Sequence, residues 1–87
     1  GEVGILLQDA TIGGQVLNAG TIEGDTGGIT IANGVISQGI SNTGTIRGYE
    51  NDGIGIVNNS FITGGISNGI TGTIRGGRAG IMVSDST

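Results

Sequence analysis

The chain has 87 residues with a formal net charge of −4, and 21 of its residues are Gly. With three basic residues, all Arg, it lacks the basic clusters through which proteins bind nucleic acid or an anionic membrane surface. The absence of Cys excludes disulfides and thiolate metal sites. The β-branched content and low charge do not fit disorder, and the absence of Pro does not fit collagen.

One phrase, N-x-G-T-I-x-G, recurs three times along the chain. It occupies residues 18–24, 42–48 and 68–76, the last copy with two extra residues. The copies begin 24 and 26 residues apart. This period is typical of repeat architectures in which each unit buries its apolar side against its neighbours. We therefore predict one stacked domain over residues 1–87, with about three and a half turns. Its predicted units are 4–27, 28–52, 53–79 and a partial unit 80–87, each beginning at a Gly.

Each unit opens with a strand in which apolar residues alternate, as in Ile5-x-Leu7 and Ile29-x-Ile31. Further apolar residues recur at the same place in successive units, although their spacing within a unit is irregular. This pattern favours several short strands per turn over an amphipathic helix, which needs sustained spacings of three and four. The positions predicted to face the core are Ile5, Leu7, Ile12, Val16, Ile22, Ile29, Ile31, Ile36, Ile40, Ile46, Ile54, Ile56, Ile62, Ile66, Ile74, Ile81 and Val83. The alternate positions of the first strand, predicted to face outward, are Leu6, Thr30, Gly55 and Met82.

Polar residues also recur in columns, and we predict a structural role for them. Asn tolerates the left-handed backbone conformation at corners, and stacked amides can form hydrogen bonds along the axis of a coil. One predicted ladder comprises Asn18, Asn42 and Asn68. The other comprises Asp9, Asn33 and Asn59, or Asn58 in place of Asn59 if the extra residue of that loop lies elsewhere.

The remaining polar columns indicate no catalytic or cofactor site. Without His, Cys or Lys, an acid/base pair would need two carboxylates, and the acidic residues do not recur in paired columns. Loops 23–27 and 49–53 collect oxygen ligands, but neither matches a calcium-binding pattern. A single Thr column flanked by Arg is weak evidence for ice binding. The sequence therefore predicts no enzyme activity, no metal and no cofactor.

The segments Ile40-Ser41-Asn42-Thr43-Gly44-Thr45-Ile46-Arg47-Gly48 and Gly53-Ile54-Gly55-Ile56 resemble the I-x-N-x-G-T-I-x-G…G-I-x-V repeats of bacterial autotransporter passengers and related large exported adhesins. The resemblance covers nearly the whole chain. It implies an all-β fold, a parallel β-helix with about three strands per turn. It also implies a secreted or cell-surface location, reached through an outer-membrane barrel supplied elsewhere in the parent protein. The long turns, without a six-residue repeat, predict a right-handed coil.

The leading functional hypothesis is a structural spacer, or stalk, in an exported bacterial surface protein. Its partners would be neighbouring turns of the parent chain or a second copy joined end to end, because unpaired terminal strands favour association. The alternative is a module that binds a host glycan or protein along one outer face. The residues predicted to form that contact face are Leu6, Val35, Tyr49, Phe61 and Met82. A polysaccharide-active enzyme is a weaker third hypothesis, since the chain offers no matching cluster of acidic and basic residues.

Overall fold

The computed structural model describes residues 3–84 and 86, and this part of the chain consists of short strands and tight turns. The strands of the first turn are β1 (Val3–Gln8), β2 (Thr11–Ile12), β3 (Val16–Asn18) and β4 (Thr21–Gly24). Those of the second are β5 (Gly27–Ala32), β6 (Val35–Ile36), β7 (Ile40–Asn42) and β8 (Thr45–Gly48). The third turn has β9 (Asp52–Val57), β10 (Phe61–Ile62), β11 (Ile66–Asn68) and β12 (Thr73–Gly76), and β13 (Ala79–Val83) follows it.

Equivalent strands of successive turns pair in parallel and form four sheets along the coil. The largest has the order β1-β5-β9-β13, and the others are β2-β6-β10, β3-β7-β11 and β4-β8-β12. The predicted columns coincide with this pairing: Ile5 pairs with Ile29, and Ile29 with Ile54. The all-β, parallel β-solenoid prediction is confirmed. The two-residue strands add a short fourth side to the three longer ones, and the right-handed sense of the coil stays a prediction.

A column of Gly residues lies at the start of each turn, one position after the first residue of β1, β5, β9 and β13. A Cβ atom at Gly28 would lie 2.6 Å from the carbonyl oxygen of Gly53, and one at Gly53 would lie 2.7 Å from that of Gly80. Both distances are too short for a side chain. The Gly column therefore permits the backbones of successive turns to approach closely at this corner.

The core is a row of Ile side chains that is completely covered only in the middle of the stack. Seven are buried: Ile29, Ile31, Ile36, Ile40, Ile46, Ile54 and Ile56. The outer members are partly buried against them: Ile5, Leu7, Ile12, Val16, Ile22, Ile62, Ile66 and Ile74. Ile81 and Val83 continue the columns of Ile54 and Ile56, yet they are 44% and 53% exposed. The prediction that they are core positions needs this correction, because no following turn covers β13 among the described residues.

The two insertions of the third turn are accommodated outside the core. Asn58 and Asn59 both adopt positive φ angles, so the extra residue widens a corner. The second insertion forms a tight turn in which the amide of Gly72 donates to the carbonyl of Gly69 over 2.9 Å. Ile70 of that turn is fully exposed. The register of β10, β11 and β12 against the second turn is unaffected.

Candidate functional site

The Asn18–Asn42–Asn68 column is a continuous ladder of amides. The Nδ2 atom of Asn18 donates to Oδ1 of Asn42 over 2.8 Å, and Nδ2 of Asn42 donates to Oδ1 of Asn68 over 2.9 Å. The Asn42 amide also donates to the carbonyls of Gly44 and Thr73, and its side chain is completely buried. The hydrogen-bonding capacity of Asn42 is therefore used inside the protein, which fits a structural role.

The second ladder is shorter than the first. Asp9, Asn33, Asn58 and Asn59 all have φ angles between 53° and 60°, the left-handed conformation that Asn and Asp tolerate. The Nδ2 atom of Asn33 donates to the Asp9 carboxylate over 2.6 Å. Because Ala32 pairs with Val57, Asn58 is the register equivalent of Asn33, and Asn59 is the extra residue. No side-chain hydrogen bond joins Asn33 to Asn58 or Asn59 among the described residues.

Ser60 is a buried polar residue that the sequence did not single out. Its hydroxyl donates to the carbonyl of Val57 over 2.7 Å and accepts a bond from the amide of Gly34 over 3.0 Å. Phe61 already pairs with Val35, so Ser60 closes the widened corner just before the register resumes. The Ser directly after the Asn pair is the sequence feature that could have indicated this residue. Its burial could not be predicted, because it depends on contacts with the preceding turn.

The five residues of the predicted contact face do not lie on one surface. Leu6 and Met82 lie in the outer strands, β1 and β13, of the largest sheet. Val35 and Phe61 pair with each other on the β2-β6-β10 sheet, where Phe61 is exposed and Val35 is half-buried. Tyr49 lies in the corner between β8 and β9. The largest exposed apolar side chains that the prediction missed are Leu17 and Ile70.

Tyr49 joins a charged column on the outer side of the β4-β8-β12 sheet. Glu23, Arg47 and Arg75 occupy one register position in successive turns. The Tyr49 hydroxyl donates a hydrogen bond to the Glu23 carboxylate, and this bond, with the negative charge of Glu23, raises the pKa of Tyr49. Arg47 Cζ lies 4.8 Å from the centroid of the Tyr49 ring, a cation–π distance. Arg47, Tyr49 and Arg75 line a cavity of about 140 Å³.

The Thr column is a single row beside this charged column. Thr21, Thr45 and Thr73 share one register position, and Arg47 and Arg75 follow two residues later on the same strands. The row is one residue wide, so it does not form the flat Thr array on which the ice-binding hypothesis depends.

A larger groove lies on the outer side of the β1-β5-β9-β13 sheet, and we call it the Gly55 groove. Gly55 pairs with Thr30 of the preceding turn and with Met82 of the following strand, so the missing side chain leaves a gap between two larger neighbours. The groove has a volume of about 300 Å³. The residues that line it are Val3, Thr26, Gly27, Thr30, Asn51, Asp52, Gly55, Val57, Arg78 and Met82.

Asp52 is the most buried charged residue of the Gly55 groove. Its side chain is 9% exposed, and a Cβ atom at Gly55 would lie 3.6 Å from its Oδ2 atom. Among residues 3–84 and 86, no hydrogen bond reaches this carboxylate. In the same residues, every polar side-chain atom without a hydrogen bond is accessible to solvent. The carboxylate oxygens therefore face the groove, from which a ligand or solvent reaches them.

The described residues contain no group of three or more His, Cys, Asp or Glu side chains that could hold a metal ion. Loops 23–27 and 49–53 do meet, because the amides of Glu50 and Asn51 donate to the carbonyls of Asp25 and Thr26. Within the same residues, no helix is long and apolar enough to cross a membrane.

Comparison with protein-family profiles, curated proteins and solved structures finds no match to this chain.

Proposed function

We propose that this chain is a structural spacer from an exported bacterial surface protein and that it performs no catalysis. The observation that carries the proposal is that residue type is kept at the inward positions and varies in an outward column. Inward positions keep an aliphatic residue or Asn in successive turns, whereas the outward positions of one column change from Leu6 to Thr30, Gly55 and Met82. A coil whose core residues recur from turn to turn adds length with each turn, as a spacer requires.

The open side of β13 supports the same proposal. Ile81 and Val83 extend the core columns but stay half exposed, and a further turn in the same register would cover them. We propose a neighbouring turn of the parent protein, or a second copy of the chain, as the partner on this side. Fully burying an exposed aliphatic side chain stabilises a protein by about 1.5–3 kcal/mol, and covering the exposed half of each of these two side chains would gain part of that.

The proposed location follows from the sequence resemblance to autotransporter passengers. If the location is correct, the chain placed between a signal peptide and an outer-membrane barrel should reach the surface of intact cells. Protease added outside the cells should then digest it. Retention inside the cell, with the barrel correctly inserted, would contradict the exported part of the proposal.

The spacer role is tested by duplicating residues 28–52 directly after Asp52. Because the copy repeats a turn whose core is buried, the coil should lengthen by about 4.8 Å. At about 0.05–0.15 kcal/mol per residue, the free energy of unfolding should rise by about 1–4 kcal/mol. Small-angle scattering measures the length, and urea denaturation measures the stability.

The matched control carries the same duplication with Ser at the inward Ile positions of the inserted copy. It adds the same number of residues without an apolar core, so it should lengthen the coil less and lower its stability. If the unaltered duplication behaves like the control, the turns are not interchangeable and the spacer proposal is wrong.

A further inference from the structure

We propose that the Gly55 groove binds one unit of a neutral saccharide, with the Asp52 carboxylate accepting hydrogen bonds from its hydroxyls. This inference goes beyond the spacer role and does not depend on it, because it concerns an outward surface of one turn.

Asp52 offers hydrogen-bond acceptors to the groove. A carboxylate that receives no hydrogen bond from its own protein takes its hydrogen bonds from solvent or from a ligand. Asp52 is nine-tenths buried, and the described residues supply it with no hydrogen bond. Its position over Gly55 turns its oxygens toward the groove. A ligand with hydroxyl donors would replace the solvent that reaches these oxygens.

The rest of the groove offers charged, polar and apolar groups. Arg78 contributes a positive charge to the groove that Asp52 lines with a negative one, and Thr30 and Asn51 contribute a hydroxyl and an amide. Met82 contributes an apolar surface. Both hydrogen-bond donors and acceptors therefore lie around an apolar patch, with no net charge from the Asp52 and Arg78 pair. A pyranose ring matches this arrangement, because it carries hydroxyls at its edge and C–H groups on its faces.

The same chemistry argues against other ligands. A divalent cation prefers a shell of six to eight oxygens, whereas Asp52 is the single carboxylate among the described residues that line the groove, and Arg78 opposes a cation there. A polyanion would meet the Asp52 charge. The volume of about 300 Å³ lies at the lower end of ligand pockets, which fits a single sugar unit at the end or edge of a longer chain.

Gly55 departs from the other residues of its column. In the column of Leu6, Thr30, Gly55 and Met82, the third turn alone has Gly. A Cβ atom at Gly55 would make ordinary contacts, the nearest at 3.6 Å, so backbone packing does not require Gly there. The residue opens space on the outside, where a spacer turn has no need of it.

The test uses the full chain and the uncharged methyl glycosides of glucose, galactose and mannose, followed by amide chemical shifts in NMR titrations. We expect at least one glycoside to shift the amides around Asp52, Gly55 and Arg78 saturably, with a Kd of about 1 mM. Asp52→Asn should weaken binding at least about tenfold, since hydrogen bonds to charged groups are the stronger ones. Gly55→Leu should abolish binding by filling the groove.

The matched control is Asp25→Asn, which makes the same chemical change at a carboxylate outside the groove and should leave the affinity unchanged. Arg78→Gln provides a variant on an exposed side chain that cannot disturb the core, and it should also weaken binding. Absence of a saturable response to all three glycosides would overturn the proposal. A response to calcium chloride at Asp52 without any response to the glycosides would also overturn it, in favour of a cation site.

Discussion

The second turn and the final strand, β13, carry similar apolar residues in the same columns, yet they differ greatly in burial. Ile29 and Ile31 are completely buried, whereas Ile81 and Val83 at the equivalent positions are about half exposed. The sequence of a turn thus determines which way its side chains point, but its neighbours determine how much those side chains contribute to stability. In a stacked protein, the free energy of unfolding includes a term for each interface between neighbouring turns, so a turn covered on one side only contributes less.

The largest test of this comparison is the removal of an inward side chain from each region. Ile46→Ala should cost about 2–5 kcal/mol, because it leaves a cavity in a completely covered core. Ile81→Ala should cost about 1 kcal/mol, because the side chain is already partly hydrated. Urea denaturation gives both values, and Ile46→Val serves as a graded control with a cost of about 0.5–1.5 kcal/mol. Equal costs at the two positions would show that β13 is covered in solution.

A smaller effect is expected from the Asn ladder. Asn42 is buried and Asn68 is exposed, although both belong to the same column. Asn42→Ala should cost about 1–3 kcal/mol, because it leaves buried carbonyls without donors, and Asn68→Ala about 0.5–1.5 kcal/mol. Thermal and urea unfolding of the two variants make the comparison. A larger loss at Asn68 would contradict the view that the middle of the stack dominates stability.

The smallest effect concerns Tyr49, which links the second turn to the first through Glu23. The hydrogen bond and charge of Glu23 raise the Tyr49 pKa, so the folded state favours the protonated phenol. This contribution to stability is fully present below the ordinary Tyr pKa of 10.0 and is lost as the pH rises through the higher folded value. Ultraviolet titration of the phenolate should show a raised midpoint, and Glu23→Gln should bring the midpoint down. An unchanged midpoint in Glu23→Gln would show that the bond is absent in solution.

The inward half of this molecule could be predicted from the sequence because the same residues recur at the same place in each unit. The Ile columns and the Asn18–Asn42–Asn68 ladder follow from that repetition, and so do the parallel sheets. The exposure of Ile81 and the burial of Ser60 could not be predicted, because both depend on what lies in an adjacent turn. The outward half is harder still. The Gly55 groove combines residues of several turns, and none of them repeats.

The Asn ladder gives the coil a direction. In each observed step the amide nitrogen of one turn donates to the amide oxygen of the turn that follows, from Asn18 to Asn42 and from Asn42 to Asn68. The amide dipoles therefore point the same way, and the two ends of the stack are chemically different: one presents an acceptor and the other a donor. Two such stacks can continue the series only head to tail. An assembly built this way has no twofold axis at its joints, so it grows as an open filament rather than closing as a dimer.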